Sequence, residues 1–215
     1  MIWLLDNHDP FWSLLAEHTV LSVLPTVLGL LLALPVGAAL RGRPRARALA
    51  VLIAGILFTI PSLALFVVLP GILGTRILDP LNVVLALTLY ALALLVRAVL
   101  DSLDGVPVAV RSAARAMGYA PARRIAAVEL PIALPVLIPA LRVVLVTNVS
   151  LVSVGAVIGI GGLGRLFTAG YQRSYPDQIL AGIIGTVVLA LVLDRVLALL
   201  GRSLTRWDRA GRTAA

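Results

Sequence analysis

The chain has 215 residues, 60% of them hydrophobic and 13% charged, with a mean hydropathy of +1.06 and a net charge of +8. Soluble domains are about 45–50% apolar, so this composition excludes an ordinary soluble domain and indicates a protein of the lipid bilayer. The positive charge does not indicate nucleic-acid binding, because no aromatic residues alternate with the arginines, which instead suit anionic lipid headgroups beside membrane spans.

The N-terminal segment, residues 1–18, lacks the basic start of a signal peptide. We interpret it as an extracytoplasmic, interfacial segment anchored by Trp3, Phe11 and Trp12. The apolar stretches that follow mostly have the length needed to cross a bilayer, which is about 20 residues. They predict an all-α membrane protein with a transmembrane domain at residues 19–205 and a cytoplasmic tail at 206–215. The five predicted transmembrane helices are residues 19–40, 49–69, 80–98, 132–156 and 178–200.

The second apolar stretch runs from Ala48 to Thr75, which is longer than one span requires, and it contains Pro61. Proline removes a backbone hydrogen bond and clashes with the preceding turn, so the helix is predicted to bend or break near Pro61. Broken backbone at membrane depth occurs where it lines a cavity or is buried against protein. Thr59, Pro61 and Ser62 are therefore candidates for a transport pathway or gate, with an ordinary proline kink as the alternative.

An arginine-rich segment, residues 108–131, separates the third and fourth apolar stretches. Val108 to Met117 is predicted to form a short helix with Ala113, Ala114 and Met117 on one face. Gly118 suits the left-handed position that follows a helix end.

Pro121 suits the first turn of a second helix, which carries Ile125, Val128 and Leu130 before Pro131 leads into the fourth span. The predicted product is a helix-turn-helix on the cytoplasmic face. A solvated basic loop is the alternative.

The fourth span contains Arg142, about 16 Å into the helix at a rise of 1.5 Å per residue. An unpaired charge at that depth costs several kcal/mol, so Arg142 is expected to have a structural pairing role with Asp194 or a backbone carbonyl. Anchoring at the membrane surface is the alternative for Asp194. Asn148 in the same span is included among the candidate pathway residues.

A glycine-rich stretch follows the fourth span and permits tight turns and close backbone approach. Gly161, Gly162 and Gly164 are candidates for an external gate loop, and close helix packing is the alternative.

All 18 basic residues are arginines, and most of them fall into three clusters. With five spans, all three clusters lie on one face of the membrane, which the positive-inside rule identifies as the cytoplasm. The N-terminus is therefore predicted outside and the C-terminus inside. The clusters are Arg41, Arg43, Arg45 and Arg47; Arg97, Arg111, Arg115, Arg123 and Arg124; and Arg202, Arg206, Arg209 and Arg212.

A membrane enzyme is a weaker hypothesis. Asp101 and Asp104 are three residues apart and could share a helix face, but neither His8 nor His18 lies on their side of the membrane. The chain has no cysteine and no phosphate-binding loop. We therefore expect no catalytic residue, no metal and no cofactor in this chain, with ATP bound by another chain.

The arginine-rich segment resembles the coupling loop of permease subunits of binding-protein-dependent ABC importers. That loop has the pattern Glu-Ala-Ala, three residues, Gly, nine residues, Ile, any residue, Leu-Pro. The pattern falls on Ser112, Ala113, Ala114, Gly118, Val128, Leu130 and Pro131. Ser112 replaces the glutamate, which removes one polar contact, and Val128 replaces the isoleucine.

The resemblance implies that this loop docks into a groove on an ATPase subunit. The residues implied in coupling are Arg111, Ser112, Ala113, Ala114, Arg115, Met117, Gly118, Tyr119, Val128, Leu130 and Pro131. It also implies the five-helix fold of type I importers, as in methionine permeases, with the coupling helix between helices 3 and 4.

Three further stretches look like permeases that import osmoprotectants such as glycine betaine, choline or carnitine: TIPSLALFVVLP, LDPLNVVLALTLYALALLVRAVLDSLDGVP and IGIGGLG. The resemblance covers residues 20–205. A permease for methionine or another small nutrient is the first alternative, and a secondary transporter or channel subunit is the second.

The same resemblance implies the partners and the location. The expected partners are an ATPase dimer, an extracytoplasmic solute-binding protein, a second identical or paralogous permease, and membrane lipids. The expected location is the inner membrane of a bacterial cell.

Overall fold

A computed structural model describes residues 8–207 of the chain, and within that range the structure is helical throughout, without strands. A π-helical turn, Ile125–Glu129, precedes the helix that begins at Leu130, and a 3-10 turn, Ala156–Ile158, follows the end of that helix. Trp3 and residues 208–215 of the predicted tail lie outside the described residues. The helices are α1 (His8–Leu40), α2 (Pro44–Thr59), α3 (Ser62–Leu73), α4 (Pro80–Asp104), α5 (Val108–Ala116), α6 (Pro121–Arg124), α7 (Leu130–Gly155), α8 (Gly164–Gln172) and α9 (Pro176–Leu204).

Helix α4 is the central element, since it packs against α1, α2 and α7 and buries most of its length. Two glycines of α1 face it. A Cβ atom added at Gly29 would lie 2.5 Å from the Cβ of Ala91, and one added at Gly37 would lie 2.5 Å from Cγ1 of Val99. Small residues at such positions let two membrane helices approach closely, so α1 and α4 form a tight pair.

The first helix starts earlier than the predicted first span. Helix α1 is continuous from His8, so the predicted boundary at residue 18 lies inside it. Phe11 is only 8% exposed and packs near Gly185 of α9, whereas Trp12 is 63% exposed. The interpretation of Phe11 as an interfacial anchor is therefore wrong. Its burial follows the helical spacing that it shares with Leu14 and Leu15.

The break predicted near Pro61 is confirmed. Helices α2 and α3 meet at an angle of 101°, so the predicted helix at 49–69 is two separate helices. Ile60 is extended, with φ −66° and ψ 128°, because the ring of the following proline disfavours the helical conformation at the residue before it.

Four helical segments of the described chain are long and apolar enough to cross a membrane, and the bent α2–α3 pair is a fifth candidate. Contacts near the two ends of α4 show that the α2–α3 pair runs from one end of the bundle to the other. Arg47 of α2 pairs with Asp104 at the end of α4, whereas Leu78, just before α4, lies against Gly159. Because α4 is about 37 Å long at 1.5 Å per residue, the chain crosses the bundle between α2 and α4.

A second helix begins at Pro121, as the sequence predicts, but it continues into the predicted fourth span and is not a separate element. Residues Pro121–Ile158 form one continuous helical segment that includes Pro131 near the start of α7. In the π turn the N–H of Leu130 donates to the carbonyl of Ile125, five residues earlier. This wider turn lies where α6 passes into α7, and the helix continues through Pro131.

Candidate functional site

Helix α5 forms the tip of the arginine-rich segment, residues 108–131, and ends as the sequence predicts. Gly118 has φ +79°, which is the left-handed region. Its N–H donates to the carbonyl of Arg115 at 2.9 Å, and the N–H of Tyr119 donates to that of Ala114 at 3.1 Å. These bonds satisfy carbonyls at the helix end, and glycine provides the left-handed backbone at no steric cost.

The faces of α5 differ from the prediction in one respect. Ala114 is buried, whereas Ser112, Ala113 and Arg115 are exposed and Met117 is 68% exposed. Of the three residues predicted to share a face, only Ala114 is therefore buried. Ala114 holds α5 against the protein, whereas Met117 follows the last residue of the helix and faces outward.

The outer surface of the segment is formed by Val108, Met117 and several arginines. Arg111 and Tyr119 are half-buried, and Arg123 lies over the Tyr119 ring at 5.4 Å from its centroid. Farther along, Val128, Leu130 and Pro131 are half-buried at the base of α7. The segment thus exposes two large apolar side chains among cations on a part of the protein that is not a membrane span.

A group of ion pairs joins the base of this segment to the rest of the bundle, and sequence reasoning missed its central residue, Glu129. Arg124 Nε donates to Glu129 Oε1 at 2.6 Å, and Arg41 pairs with the other carboxylate oxygen. Arg41 Nε also donates to Asp104 at 3.3 Å. The only sequence signal was a lone glutamate beside a leucine-proline pair.

Asp101 and Asp104, the weak candidates for an enzyme site, take part in ion pairs at the same end of the bundle. Arg47 pairs with both of them, at 3.2 Å from Asp101, and Arg97 lies 3.9 Å from Asp101. Their carboxylates thus have arginine partners. Across residues 8–207, no group of three or more metal-binding side chains is present.

The break between α2 and α3 is held by α4. The hydroxyl of Tyr90 donates to the carbonyl of Ile60, and the Tyr90 ring makes an edge contact with Phe58 at 5.7 Å. Thr59 and Pro61 are exposed and Ser62 is half-buried. The candidate gate residues therefore lie on the outer side of a bend that Tyr90, which the sequence did not single out, fixes from within.

The glycine stretch folds back tightly onto α1 and α7. A Cβ at Gly161 would lie 2.4 Å from the backbone N of Ala156, and one at Gly164 would lie 2.7 Å from the carbonyl of Ser153. Gly162 has φ +48° and its Cβ would lie 2.6 Å from His18. These close approaches favour the packing alternative for the three glycines.

His18 was also missed and links three parts of this end of the bundle. Its Nε2 lies 2.9 Å from the carbonyl of Val149, and its Nδ1 accepts from the N–H of Leu163 at 3.2 Å. The side chain is fully buried. Nearby, Asn148 is buried and donates to Thr26 at 2.9 Å, so it bonds α7 to α1 inside the subunit.

The intramembrane charges are in direct contact. Arg142 Nε and Nη2 donate to the two carboxylate oxygens of Asp194, both at 2.7 Å. Such a two-bond pair fixes geometry as well as neutralising both charges. The pairing expected for Arg142 is present, and it joins α7 to α9.

Comparisons with known proteins agree with this architecture. The osmoprotectant import permease protein OsmW of Salmonella typhimurium is 35% identical over 201 residues, which cover 91% of this chain and 92% of that protein. The choline transport system permease protein OpuBB of Bacillus subtilis is 30% identical over 189 residues, covering 88% of this chain and 86% of that protein.

A solved structure of the MetNI methionine ABC transporter in an inward-facing conformation superposes with a TM-score of 0.78. It is 27% identical and covers 95% of this chain and 98% of that one. Residues 26–206 match a family described as the inner membrane component of binding-protein-dependent transport systems. The chain belongs to this family of multi-pass transport proteins of the inner membrane.

Proposed function

We propose that the chain is the permease subunit of an ATP-driven importer for quaternary-ammonium compatible solutes such as glycine betaine, choline or carnitine. The arginine-rich segment, residues 108–131, is called the coupling segment from here on. Its exposed tip supports the proposal that this chain docks to an ATPase. Helix α5 is closed by Gly118, anchored through Ala114, and presents Val108 and Met117 outward. A compact tip with apolar side chains among cations suits docking to another protein.

The proposed partners follow from the family. Two ATPase subunits bind the coupling segments of two permeases, identical or paralogous, and a binding protein delivers solute at the opposite face. Nucleotide binding moves the segments and rocks the spans between two access states. In this scheme the chain itself is not an enzyme and binds no cofactor.

The proposed orientation places the coupling segment in the cytoplasm and the glycine stretch outside. Gly201, near the end of α9, packs against Ile138 near the start of α7, so both lie toward the coupling end. His18 lies at the glycine-stretch end. The N-terminus is then outside and the C-terminus inside, with residues 1–18 extracytoplasmic or at the membrane surface, residues 19–205 the permease domain, and residues 206–215 a cytoplasmic tail.

The solute class rests on relatives named for osmoprotectants, choline and carnitine, which are 26–35% identical over most of their length. A methionine permease is the second candidate, because the superposition with the methionine transporter extends over nearly the whole chain. The sequence similarity to osmoprotectant permeases is the stronger argument for the solute.

The test is uptake by proteoliposomes that contain the permease, its ATPase and its binding protein. We expect ATP-dependent uptake of radiolabelled glycine betaine, choline or carnitine, and no uptake of methionine. Methionine uptake alone would favour the second candidate. Uptake driven by a proton or sodium gradient without ATP would contradict the importer and favour a secondary transporter.

A further inference from the structure

Glu129 is a fully buried carboxylate at the junction between the coupling segment and α7. We propose that Glu129 is a positioning residue that ties the coupling segment to the ends of α1 and α4, so that these three parts move together. This inference rests on the proposed function, because it concerns how motion of the segment reaches the spans.

The charge of Glu129 is paired at both carboxylate oxygens. One oxygen of Glu129 accepts from Arg124 Nε at 2.6 Å, and the other pairs with Arg41 Nη1. The side chain of Glu129 is 0% exposed, and those of Arg41 and Arg124 are 14% and 15% exposed. A buried carboxylate is tolerated only when it is paired and hydrogen-bonded, so loss of either partner is costly.

Arg41 directly follows the last residue of α1. Besides Glu129, its guanidinium donates to the carbonyl of Leu103 and to the carboxylate of Asp104, both at the end of α4. One side chain therefore connects the ends of α1 and α4 to the base of α7. Arg41 and Glu129 act together as a joint between three elements.

The π turn at Ile125–Glu129 brings Arg124 close to Glu129. Arg124 and Glu129 are five residues apart, and in a regular α-helix such residues point about 140° away from each other. The π turn at Ile125–Glu129 has hydrogen bonds between residues five apart, which brings the two side chains onto one face. The irregular turn thus makes the Arg124–Glu129 pair possible.

The consequence concerns coupling. Without the joint, a force on α5 could tilt the coupling segment while α1 and α4 stay in place. With the joint, the same displacement is transmitted to the central pair of helices. Breaking it is therefore expected to separate ATP hydrolysis from transport while the docking surface of α5 remains.

The first experiment compares wild-type permease with Glu129→Gln, which keeps the side-chain volume and removes the charge. Both are reconstituted with the ATPase and binding protein, and solute transported per ATP hydrolysed is measured. We expect ATPase binding and hydrolysis to persist and this ratio to fall about fivefold or more, the lower end of usual coupling effects. An unchanged ratio would overturn the proposal.

The matched control is Asp101→Asn, which removes a carboxylate of the same end of the bundle outside the joint. Asp101 pairs with Arg47 at 3.2 Å, and the two side chains are 55% and 39% exposed. Exposed pairs contribute little, so the transport ratio is expected to match wild type. A fall as large as that of Glu129→Gln would indicate a general charge effect and count against the joint.

A second experiment tests the joint even if Glu129→Gln folds poorly. The chain contains no cysteine, so Arg41→Cys with Glu129→Cys introduces a unique pair of thiols. With cysteine-free partners, a flexible bifunctional thiol reagent replaces the ion pair by a covalent link. We expect the link to raise the transport ratio above that of the unlinked double variant.

Abolition of the remaining transport by the link would mean that the contact opens during the cycle, and the joint would be rejected. Failure of the proposed function looks different, because the wild type itself would then show no ATP-dependent uptake. If wild type and Glu129→Gln transport the same amount of solute per ATP hydrolysed, the joint is rejected and the proposed function stands.

Discussion

Gly118 is the residue at which the backbone of the coupling segment is most constrained, with φ +79° and open space around the position of a Cβ. A Gly118→Val substitution is opposed by backbone conformation alone, which costs about 1–2 kcal/mol for a left-handed residue. If the bend must form before docking, affinity for the ATPase is expected to fall roughly tenfold. Co-purification and binding titrations of the two subunits measure this.

The control for that prediction is Gly118→Asn, because asparagine adopts the left-handed region more readily than a β-branched residue. It is expected to retain most of the affinity at equal membrane insertion. Equal losses in both variants would show that the side chain, and not the backbone, disturbs docking.

Residue-scale inference succeeded where backbone chemistry is local. Glycine after a short helix and proline in an apolar stretch each restrict the chain within a few residues, so Gly118 and Pro61 were predictable. Glu129 and His18 were not, because their roles depend on partners far along the chain, Arg41 and Leu163.

The break between α2 and α3 is the element with the clearest internal support. A Tyr90→Phe substitution removes the donor to the carbonyl of Ile60 and keeps the ring contact with Phe58. The lost bond is worth about 1 kcal/mol, so the purified permease is expected to melt a few degrees lower in detergent. Thermal unfolding followed by light scattering or intrinsic fluorescence measures the shift.

Tyr171→Phe is the matched control, since that hydroxyl belongs to a side chain that is 81% exposed on α8. Its melting temperature is expected to equal that of wild type. A Tyr90→Phe variant as stable as this control would show that the bend is maintained by proline alone.

At the scale of elements, apolar length predicted the crossings, whereas helix ends were less predictable. Helix α1 includes the residues before the predicted span as far back as the described chain extends, because Phe11 and its neighbours have helical spacing even in a charged stretch. The fourth span was predicted to begin only after Pro131, whereas the helix runs from Pro121 through Pro131. Residue pattern gives no sign of a π turn, which is why the continuous helix was missed.

The whole molecule is organised around α4, and its outer helices retain exposed apolar faces. The described part of α2 has no buried residue, and α9 exposes Leu180, Ile184, Val187 and Leu191. In a bilayer such faces contact lipid tails or another permease copy. The expected dimer is consistent with α2, which packs mainly against α4 within the subunit.

The two ends of this bundle give a prediction about membrane sidedness. The structure places Met117 on the coupling segment, whose base adjoins the end of α4, and Ile77 in the loop before α4, at the other end. Both side chains are well exposed, at 68% and 65%. Because the chain has no cysteine, Met117→Cys and Ile77→Cys each provide one thiol for labelling.

In intact cells, a membrane-impermeant thiol reagent is expected to label Ile77→Cys and to leave Met117→Cys unlabelled until the membrane is opened. The arginine clusters at the coupling end favour this orientation, since basic residues are retained in the cytoplasm. Labelling of both positions from outside would contradict the crossing formed by α4, which separates Ile77 from Met117. Labelling of Met117→Cys alone would mean that the bundle has the opposite orientation. The coupling segment would then lie outside the cell, where no cytoplasmic ATPase can bind it.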